Sequence, residues 1–293
     1  MEPRDYGPFP YVPITRRPKI RWPNGARLAV WVIPNIEFFS LRHGFAGQPW
    51  EARAPAPSVR SWAQRDYGNR VGIFRIMQVM ARHGIRGSAT VNSDICDYHP
   101  EIIHEAMKLG WELLGHNKTN PQRLGALPPE EERALIFHVL ERIERESGAR
   151  PVGWLGAALA ESWNTLDYLI EGGCEYVADW VNDDQPYLMD VGGKRIVSIP
   201  YSYEINDSPH LQYRFGTADE FESMIKRQFD VLYREGEASG RVMAICLHPF
   251  LIGVPHRIDS LDRALGHIAS HSGVWFATGA EIVRHYLKSG ATF

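Results

Sequence analysis

Cysteine is scarce in this chain of 293 residues. Only Cys96, Cys174 and Cys246 are present, and no Cys-x-x-Cys pair occurs among them. The odd number and the wide spacing argue against a disulfide framework and against a zinc site built on cysteine. Reduced, buried thiols are the better interpretation, and they suit a reducing compartment.

Long apolar runs and basic blocks are also missing. No apolar stretch approaches the roughly 20 residues that a membrane helix needs, and residues 1–23 lack the apolar core of a secretory signal. The net charge is −3, with Lys and Arg spread along the chain. No feature therefore indicates nucleic acid or membrane as a partner, and we expect a cytoplasmic protein.

Strand and helix signals alternate from residue 27 onward. Residues 27–33 form a short apolar run, typical of a strand buried on both faces, and seven to eight β/α units follow. This pattern predicts an α/β fold whose parallel sheet closes, or nearly closes, into a barrel. A doubly wound open sheet is the alternative, but no glycine-rich phosphate loop follows the first strand.

The chain divides into two parts on composition. Residues 1–26 are rich in proline and predict an irregular N-terminal arm, whereas residues 27–293 predict a single barrel domain. Residues 38–65 carry several Gly and Pro residues and predict a long loop. Loops of this length in compact domains are usually functional, for example as lids.

Polar residues follow several of the predicted strands at the point where each strand ends. In a barrel the active site lies at the carboxyl ends of the strands, so these residues should meet at one mouth. A carboxylate and two histidines can activate water and protonate a leaving nitrogen. The residues that follow strands are Asn35, Glu37, His116, Asn120, Asp183, Asp184 and His248.

Six short stretches make the sequence recognisable: WPNGAR at 22–27, DYGNRVG at 66–72, GWE at 110–112, GW at 153–154, NDDQPY at 182–187, and HP at 248–249 followed by GVPHR at 253–257. Over about residues 20–290 the chain resembles the polysaccharide-deacetylase (NodB-homology) superfamily. It is most similar to the branch of peptidoglycan-deacetylase-like proteins, cofactor-independent allantoinases and cyclic imide hydrolases. The resemblance implies a deformed TIM barrel that hydrolyses carbon–nitrogen bonds other than peptide bonds.

The motifs that hold a metal in this family are altered here. Metal-dependent members carry an Asp-Asp pair after the first strand and a His-x-x-x-His pair after the third. This chain has Asn35 and Glu37 at the first motif, and His116 with Asn120 at the second. An amide oxygen is a poor substitute for imidazole, so Glu37, His116 and Asn120 would form only a weak zinc site.

The resemblance to the metal-free branch implies general acid–base catalysis without a cofactor. Glu37 is then the general base or the group that orients water, and His116 could share that role. His248 is the acid that faces the leaving nitrogen.

Relatives in that branch carry a positive residue soon after the Gly-Trp pair, whereas residues 153–159 here read GWLGAAL. We therefore expect the substrate to be a small amide, imide or ureide less charged than allantoin.

The predicted substrate-binding residues are Asn35, Arg70, Asn120, Trp154, Asp183 and Asp184. Several have a plainer interpretation that stays open. Arg70 could pair with Asp66 to order a loop, Trp154 could belong to the core, and Asp183 and Asp184 could form turns.

Two other functions stay open as well. One is a metal-dependent deacetylase of an N-acetyl sugar or polysaccharide, and the other is a non-catalytic barrel that binds a ligand. The proline-rich arm, together with Trp50 and Trp62 in the long loop, predicts exposed apolar surface of the kind that often marks the contact of a homo-oligomer.

Overall fold

The structure is a computed structural model and describes residues 4–42 and 57–292. In those ranges nine strands form one sheet: β1 Leu28–Ile36, β2 Ser88–Val91, β3 Glu112–Gly115, β4 Gly153–Trp154, β5 Tyr176–Val177, β6 Tyr187–Val191, β7 Lys194–Ser198, β8 Arg241–Leu247 and β9 Val274–Phe276. The α-helices of the same ranges are α1 Val59–Tyr67, α2 Ile73–Arg82, α3 Ile95–Tyr98, α4 Pro100–Lys108, α5 Pro129–Ser147, α6 Thr165–Glu171, α7 Ala218–Glu235, α8 Ile258–Ala269 and α9 Gly279–Lys288.

The sheet curls into a deformed barrel with helices on its outer side. The strand order is β6-β7-β5-β4-β3-β2-β1-β8, and β9 pairs with β1. No ladder joins β8 to β6 or β7 within the described ranges. An isolated bridge between Asn206 and Cys246 crosses this seam, as does the bond from the Val242 N–H to the Asp184 carbonyl. The prediction of a nearly closed α/β barrel is confirmed.

Two apolar clusters show why the sheet curls. One lies between the sheet and the helices and includes Val30, Val32 and Leu247, while the other fills the interior of the barrel and includes Trp31 and Ile33. β1 supplies side chains to both clusters because successive residues of a strand face opposite sides. A strand buried on both faces has no room for polar residues until its end, which explains the apolar run.

The structure differs from the prediction in two elements. β6 and β7 form an antiparallel hairpin rather than a further parallel unit, because the turn at Gly192 and Gly193, both with positive φ, is too short for a crossover. In addition, α1 occupies Val59–Tyr67, so the predicted loop at 38–65 contains part of a helix.

The described part of the N-terminal arm, residues 4–26, packs along the barrel. The Trp22 indole Nε1 donates to the Arg241 carbonyl at 2.8 Å, and the Arg17 guanidinium pairs with Asp183 at 2.5 Å. The division at residue 26 stays a prediction. Among the helices of the described ranges, none combines the length and the apolar character needed to cross a membrane.

Candidate active site

Three polar side chains meet at the carboxyl end of the barrel because of strand alternation. Glu37 lies four residues after Ile33, His116 lies two residues after Leu114, and His248 lies two residues after Cys246. Ile33, Leu114 and Cys246 all face the barrel interior. An even spacing keeps the side chain on the same face, so Glu37, His116 and His248 point into the mouth together.

Glu37 lies between the two imidazoles. Its Oε1 is 3.5 Å from Nε2 of His248 and 3.9 Å from Nε2 of His116. Burial alone would raise the pKa of this carboxyl. The positive charge of His248, together with the interactions of both imidazoles with the carboxylate, outweighs burial and lowers the pKa to about 2. Glu37 is therefore a carboxylate at neutral pH.

His248 is held from its other side by Asp207. The His248 Nδ1 is 2.7 Å from Asp207 Oδ1, and the His248 backbone N–H donates to both carboxylate oxygens at 2.8 and 2.9 Å. Burial opposes the imidazolium, but the charges of Glu37 and Asp207 overcome it and raise the pKa of His248 to about 10. The ring thus carries a proton on Nε2, aimed at Glu37.

His116 is fixed in a different way. Its Nδ1 is 2.6 Å from the carbonyl oxygen of Leu155, and a carbonyl can only accept, so Nδ1 carries a proton and Nε2 faces Glu37. Asn92, directly after β2, ties the segments that follow β1 and β3 together. Its Nδ2 donates to the His116 carbonyl, and its Oδ1 accepts from the Phe38 N–H. The next residue, Asn117, takes a left-handed φ of 58° to turn the chain away.

Asn35 lies beneath the three side chains and uses its whole amide on protein partners. Thr90 Oγ1 donates to its Oδ1 at 2.8 Å, and its Nδ2 donates to the Leu247 carbonyl at 3.2 Å and to the Tyr201 hydroxyl at 3.3 Å. These bonds join β1 to β2 and β8. The amide therefore supports the floor of the mouth, and its role in binding substrate stays a prediction.

Arg70 lies on the outer rim. Its side chain is 73% exposed and its Nη1 is 3.9 Å from Asp66 Oδ2, a loose ion pair. It also lines a cavity of about 620 Å³, with Phe38 and Tyr98 among its walls. Both interpretations of Arg70 therefore stay open.

 The residue before Arg70, Asn69, is tied to the site: its Nδ2 donates to the Glu37 carbonyl at 2.9 Å.

Asn120 is joined to the site through its backbone. Its N–H donates to the Phe38 carbonyl at 3.1 Å, which ties the loop after β3 to the end of β1. The side chain is half-buried. The predicted roles of Asn120 in binding substrate or metal stay predictions.

Trp154 lies on the far side of the sheet from the mouth. Its ring is buried in the cluster between the sheet and the helices. It packs directly on Gly115, where an added Cβ would lie 2.4 Å from the Trp154 ring and 3.5 Å from Leu140. The prediction that Trp154 contacts substrate is wrong, because strand alternation turns its neighbour Leu155 into the barrel interior instead.

Asp183 and Asp184 lie at the seam of the barrel, away from the three central side chains. Asp183 Oδ1 accepts from the Gln185 N–H at 2.9 Å and pairs with Arg17, so Asp183 forms a turn and anchors the arm. The Asp184 carbonyl accepts from Val242, near the start of β8. Asp183 therefore follows the turn interpretation and does not reach the mouth, and the role of Asp184 in binding substrate stays a prediction.

The donor set at the mouth does not fit a zinc site. At the positions of the family's metal ligands, Glu37 and His116 are strong donors and Asn120 offers only an amide, whereas zinc takes three good protein ligands. No cluster of three or more His, Cys, Asp or Glu side chains with metal-binding geometry occurs in residues 4–42 and 57–292.

The sequence analysis missed two residues of this site. Asn92 follows β2 directly, so the rule applied to the other strand ends would have found it. Asp207 comes nine residues after the end of β7, within a loop that returns to β8. No local spacing connects it to His248, 41 residues later. The one sequence feature that could have drawn attention to Asp207 is the polar pair that it forms with Asn206.

Comparisons with known proteins agree with this fold, although no family model matches the chain. A Schizosaccharomyces pombe protein named "Putative polysaccharide deacetylase" is 28% identical over 294 aligned positions, covering 90% of this chain and 91% of the relative. The crystal structure of PuuE allantoinase superposes with a TM-score of 0.85 at 27% identity, covering 94% of this chain and 95% of that one. A structure titled "probable Polysaccharide deacetylase" from Pseudomonas aeruginosa PAO1 gives 0.83 at 27% identity, with the same coverage.

The fold and the relatives define an enzyme class, the hydrolases that act on carbon–nitrogen bonds other than peptide bonds. Within that class, the similar proteins and structures support the polysaccharide-deacetylase (NodB-homology) superfamily. The predictions of the superfamily, of its deformed barrel and of the enzyme class are confirmed.

Proposed function

We propose that this protein hydrolyses a small amide, imide or ureide by general acid–base catalysis at Glu37, His116 and His248. The observation that carries the proposal is the charged pair at the mouth, in which the Glu37 carboxylate is 3.5 Å from the protonated Nε2 of His248. A base and an acid in the correct protonation states lie side by side, as C–N hydrolysis requires.

The chemical step needs one proton to be taken and one to be given. Water attacks the substrate carbonyl carbon while Glu37 accepts the proton that the water loses. The C–N bond then breaks as His248 Nε2 donates its proton to the leaving nitrogen. Because His248 becomes neutral in that step, the proton held by Glu37 can return to His248, which restores the starting protonation states.

His116 can assist on the opposite side of Glu37. With Nδ1–H committed to the Leu155 carbonyl, its Nε2 presents a lone pair toward the carboxylate. A water held between these two acceptors would be oriented by both. His116 is therefore a second acceptor for the attacking water or the group that places it.

The substrate preference follows from the wall beside His116. Leu155 faces the interior and is 2% exposed, and the following loop is rich in alanine. No Arg or Lys occurs between positions 153 and 161. A weakly charged amide or imide suits this wall better than allantoin does, because an unpaired polar group would lose its water there.

The relative named as a polysaccharide deacetylase favours a second candidate, the removal of an acetyl group from an N-acetyl sugar. That reaction also cleaves an amide bond. With a metal it would need ligands beyond Glu37 and His116. The cytoplasmic location, the absence of a required cofactor and the homo-oligomer stay predictions, and Trp50, one basis of the last, lies outside the described residues.

A substrate panel tests the proposal. Purified protein is offered a five-membered cyclic imide, allantoin and an N-acetylglucosamine oligomer, each with a chelator and with added zinc. We expect turnover of the imide that the chelator leaves unchanged and that Glu37→Gln abolishes. Turnover of the sugar alone, lost with the chelator, would show the metal-dependent deacetylase instead.

Asp183→Asn is a matched control for the loss of a carboxylate. Asp183 was predicted at the mouth and lies at the seam, so its variant should keep the activity within about twofold. An equal loss of activity in the Asp183 and Glu37 variants would contradict the assignment of Glu37 as the base.

A further inference from the structure

We propose that Asp179 is a positioning residue for His116 and acts through the single peptide group that joins Leu155 to Gly156. The inference rests on the proposed function, in which His116 faces the attacking water. It concerns a residue that contacts neither the three central side chains nor the mouth, and that follows β5 rather than β3 or β4.

The geometry is a chain of two hydrogen bonds through one amide. The Leu155 carbonyl oxygen is 2.6 Å from His116 Nδ1, and the Gly156 N–H donates to Asp179 Oδ1 at 2.7 Å. The carbonyl of Leu155 and the N–H of Gly156 belong to the same peptide unit. A carboxylate on the N–H polarises that amide and makes its carbonyl a stronger acceptor, so the negative charge of Asp179 strengthens the bond that holds the Nδ1–H form of His116.

The two imidazoles of the mouth are thereby supported in parallel ways. Asp207 bonds Nδ1 of His248 directly at 2.7 Å, whereas Asp179 reaches Nδ1 of His116 through one intervening amide. The direct contact, together with the charge of Glu37, keeps His248 a cation. The relayed contact orients His116 and leaves its Nε2 as an acceptor.

Glu161 keeps Asp179 in its ionised form. The two buried carboxyls lie close enough to shift each other's pKa, and two such groups do not both ionise readily. Burial, followed by the charge of Asp179, raises the pKa of Glu161 well above its usual range. Glu161 therefore holds the proton, and the Trp180 indole donates to its Oε1 at 3.1 Å. Asp179 remains the acceptor that faces Gly156.

The same pair spans the two ends of a strained loop. Residues 156–161 include Ala158 and Leu159, which take left-handed φ values of 61° and 55°, a conformation that costs non-glycine residues free energy. Asp179 bonds the first residue of the loop, Gly156, and interacts with the carboxyl of the last, Glu161. This double attachment keeps the Leu155–Gly156 peptide in the orientation that serves His116.

Nitrogen-15 NMR of the histidine rings, without substrate, tests the proposal on the full chain. The His116 signals are assigned by comparison with His116→Gln. We expect Asp179→Asn, which keeps an acceptor but removes the charge, to weaken the Nδ1–H signature of His116. With substrate, kcat should fall by about tenfold with little change in KM, a fraction of the roughly 10²–10⁴ that a positioned acid or base contributes. Glu161→Gln keeps a donor to Asp179 and should resemble the wild type in both measurements.

A second pair of variants tests the Gly156 N–H and leaves Asp179 and Glu161 unchanged. Gly156 has φ −66° and ψ 142°, values that proline adopts, so Gly156→Pro deletes the N–H donor. Gly156→Ala adds a similar Cβ, which would meet the Ala160 carbonyl at 2.8 Å in either variant, but keeps the N–H. We expect the proline variant alone to disturb His116.

Unchanged His116 signals in both Asp179→Asn and Gly156→Pro would overturn the inference, as would equal disturbance by proline and alanine at Gly156. Because the NMR measurement needs no turnover, it tests the relay even if the proposed substrate class is wrong.

Discussion

Two glutamates at opposite ends of the barrel show how surroundings decide the role of one residue type. Glu112 begins β3 and accepts from the Tyr176 hydroxyl at 2.8 Å, from the Ser88 hydroxyl at 2.9 Å and from the Ala280 N–H at 3.2 Å. Burial raises the pKa of Glu112. Glu37, just beyond the end of β1, has two imidazoles as neighbours and a lowered pKa of about 2.

The difference lies in the neighbours' charge. Neutral donors satisfy the oxygens of Glu112 but do not offset the cost of burying a charge, whereas the imidazolium of His248 does. Glu112 thus fixes the start of α9 against β2 and β3, and Glu37 stays charged at the mouth. A buried carboxylate with a protonated partner is the arrangement that can do acid–base work.

The largest effect should come from removing the charge at the mouth. Glu37→Gln should lower kcat/KM by roughly 10²–10⁴ because it removes the base and the anion that faces His248. Steady-state kinetics on the substrate found by the panel measures the loss. Retention of full activity in this variant would remove Glu37 from the mechanism.

Asp207→Asn should come next, with a loss of about 10- to 100-fold in kcat, part of the contribution of the general acid. Asp207 raises the pKa of His248, so without its charge that pKa falls below about 10. The alkaline limb of the rate profile should therefore move to lower pH. A loss of rate with an unmoved limb would mean that Asp207 serves only the fold.

Glu112→Gln should lower stability and leave activity nearly unchanged, the opposite of what we expect for Glu37→Gln. The groups around the Glu112 carboxyl are all donors, so the amide nitrogen of Gln would face another donor. This should lower the free energy of unfolding by about 1–3 kcal/mol. Denaturant titration measures this, and kcat/KM should stay within about twofold. Strong loss of activity in a folded Glu112 variant would break the comparison between the two ends.

The smallest effect concerns the pH dependence of stability. The pKa of His248 is raised from 6.5 to about 10 in the folded protein, so its contribution is fully present below pH 6.5 and is lost as the pH rises toward 10. The wild type should therefore lose about 1–3 kcal/mol of unfolding free energy, relative to His248→Gln, across that window. Parallel curves for the two proteins would show that the imidazolium does not stabilise the fold.

Much of the site could be predicted from local sequence. Glu37, His116 and His248 each follow a strand, and parallel strands bring their carboxyl ends to one mouth. The superfamily was also recognisable, because its motifs are short contiguous stretches. What failed was the side on which a residue faces: a one-residue shift along β4 places Leu155 in the interior and Trp154 against the helices.

The sequence by itself determined the barrel, its apolar strands and the three side chains at the mouth, since these depend on periods of two along single strands. Only the tertiary structure decided the partners: Asp207 on His248, Asp179 behind His116, and Asp183 at the seam rather than the mouth. These partners come from loops far apart in the chain. Their charges act through distances of a few ångströms that no spacing in the sequence encodes, and those distances set which groups hold their protons.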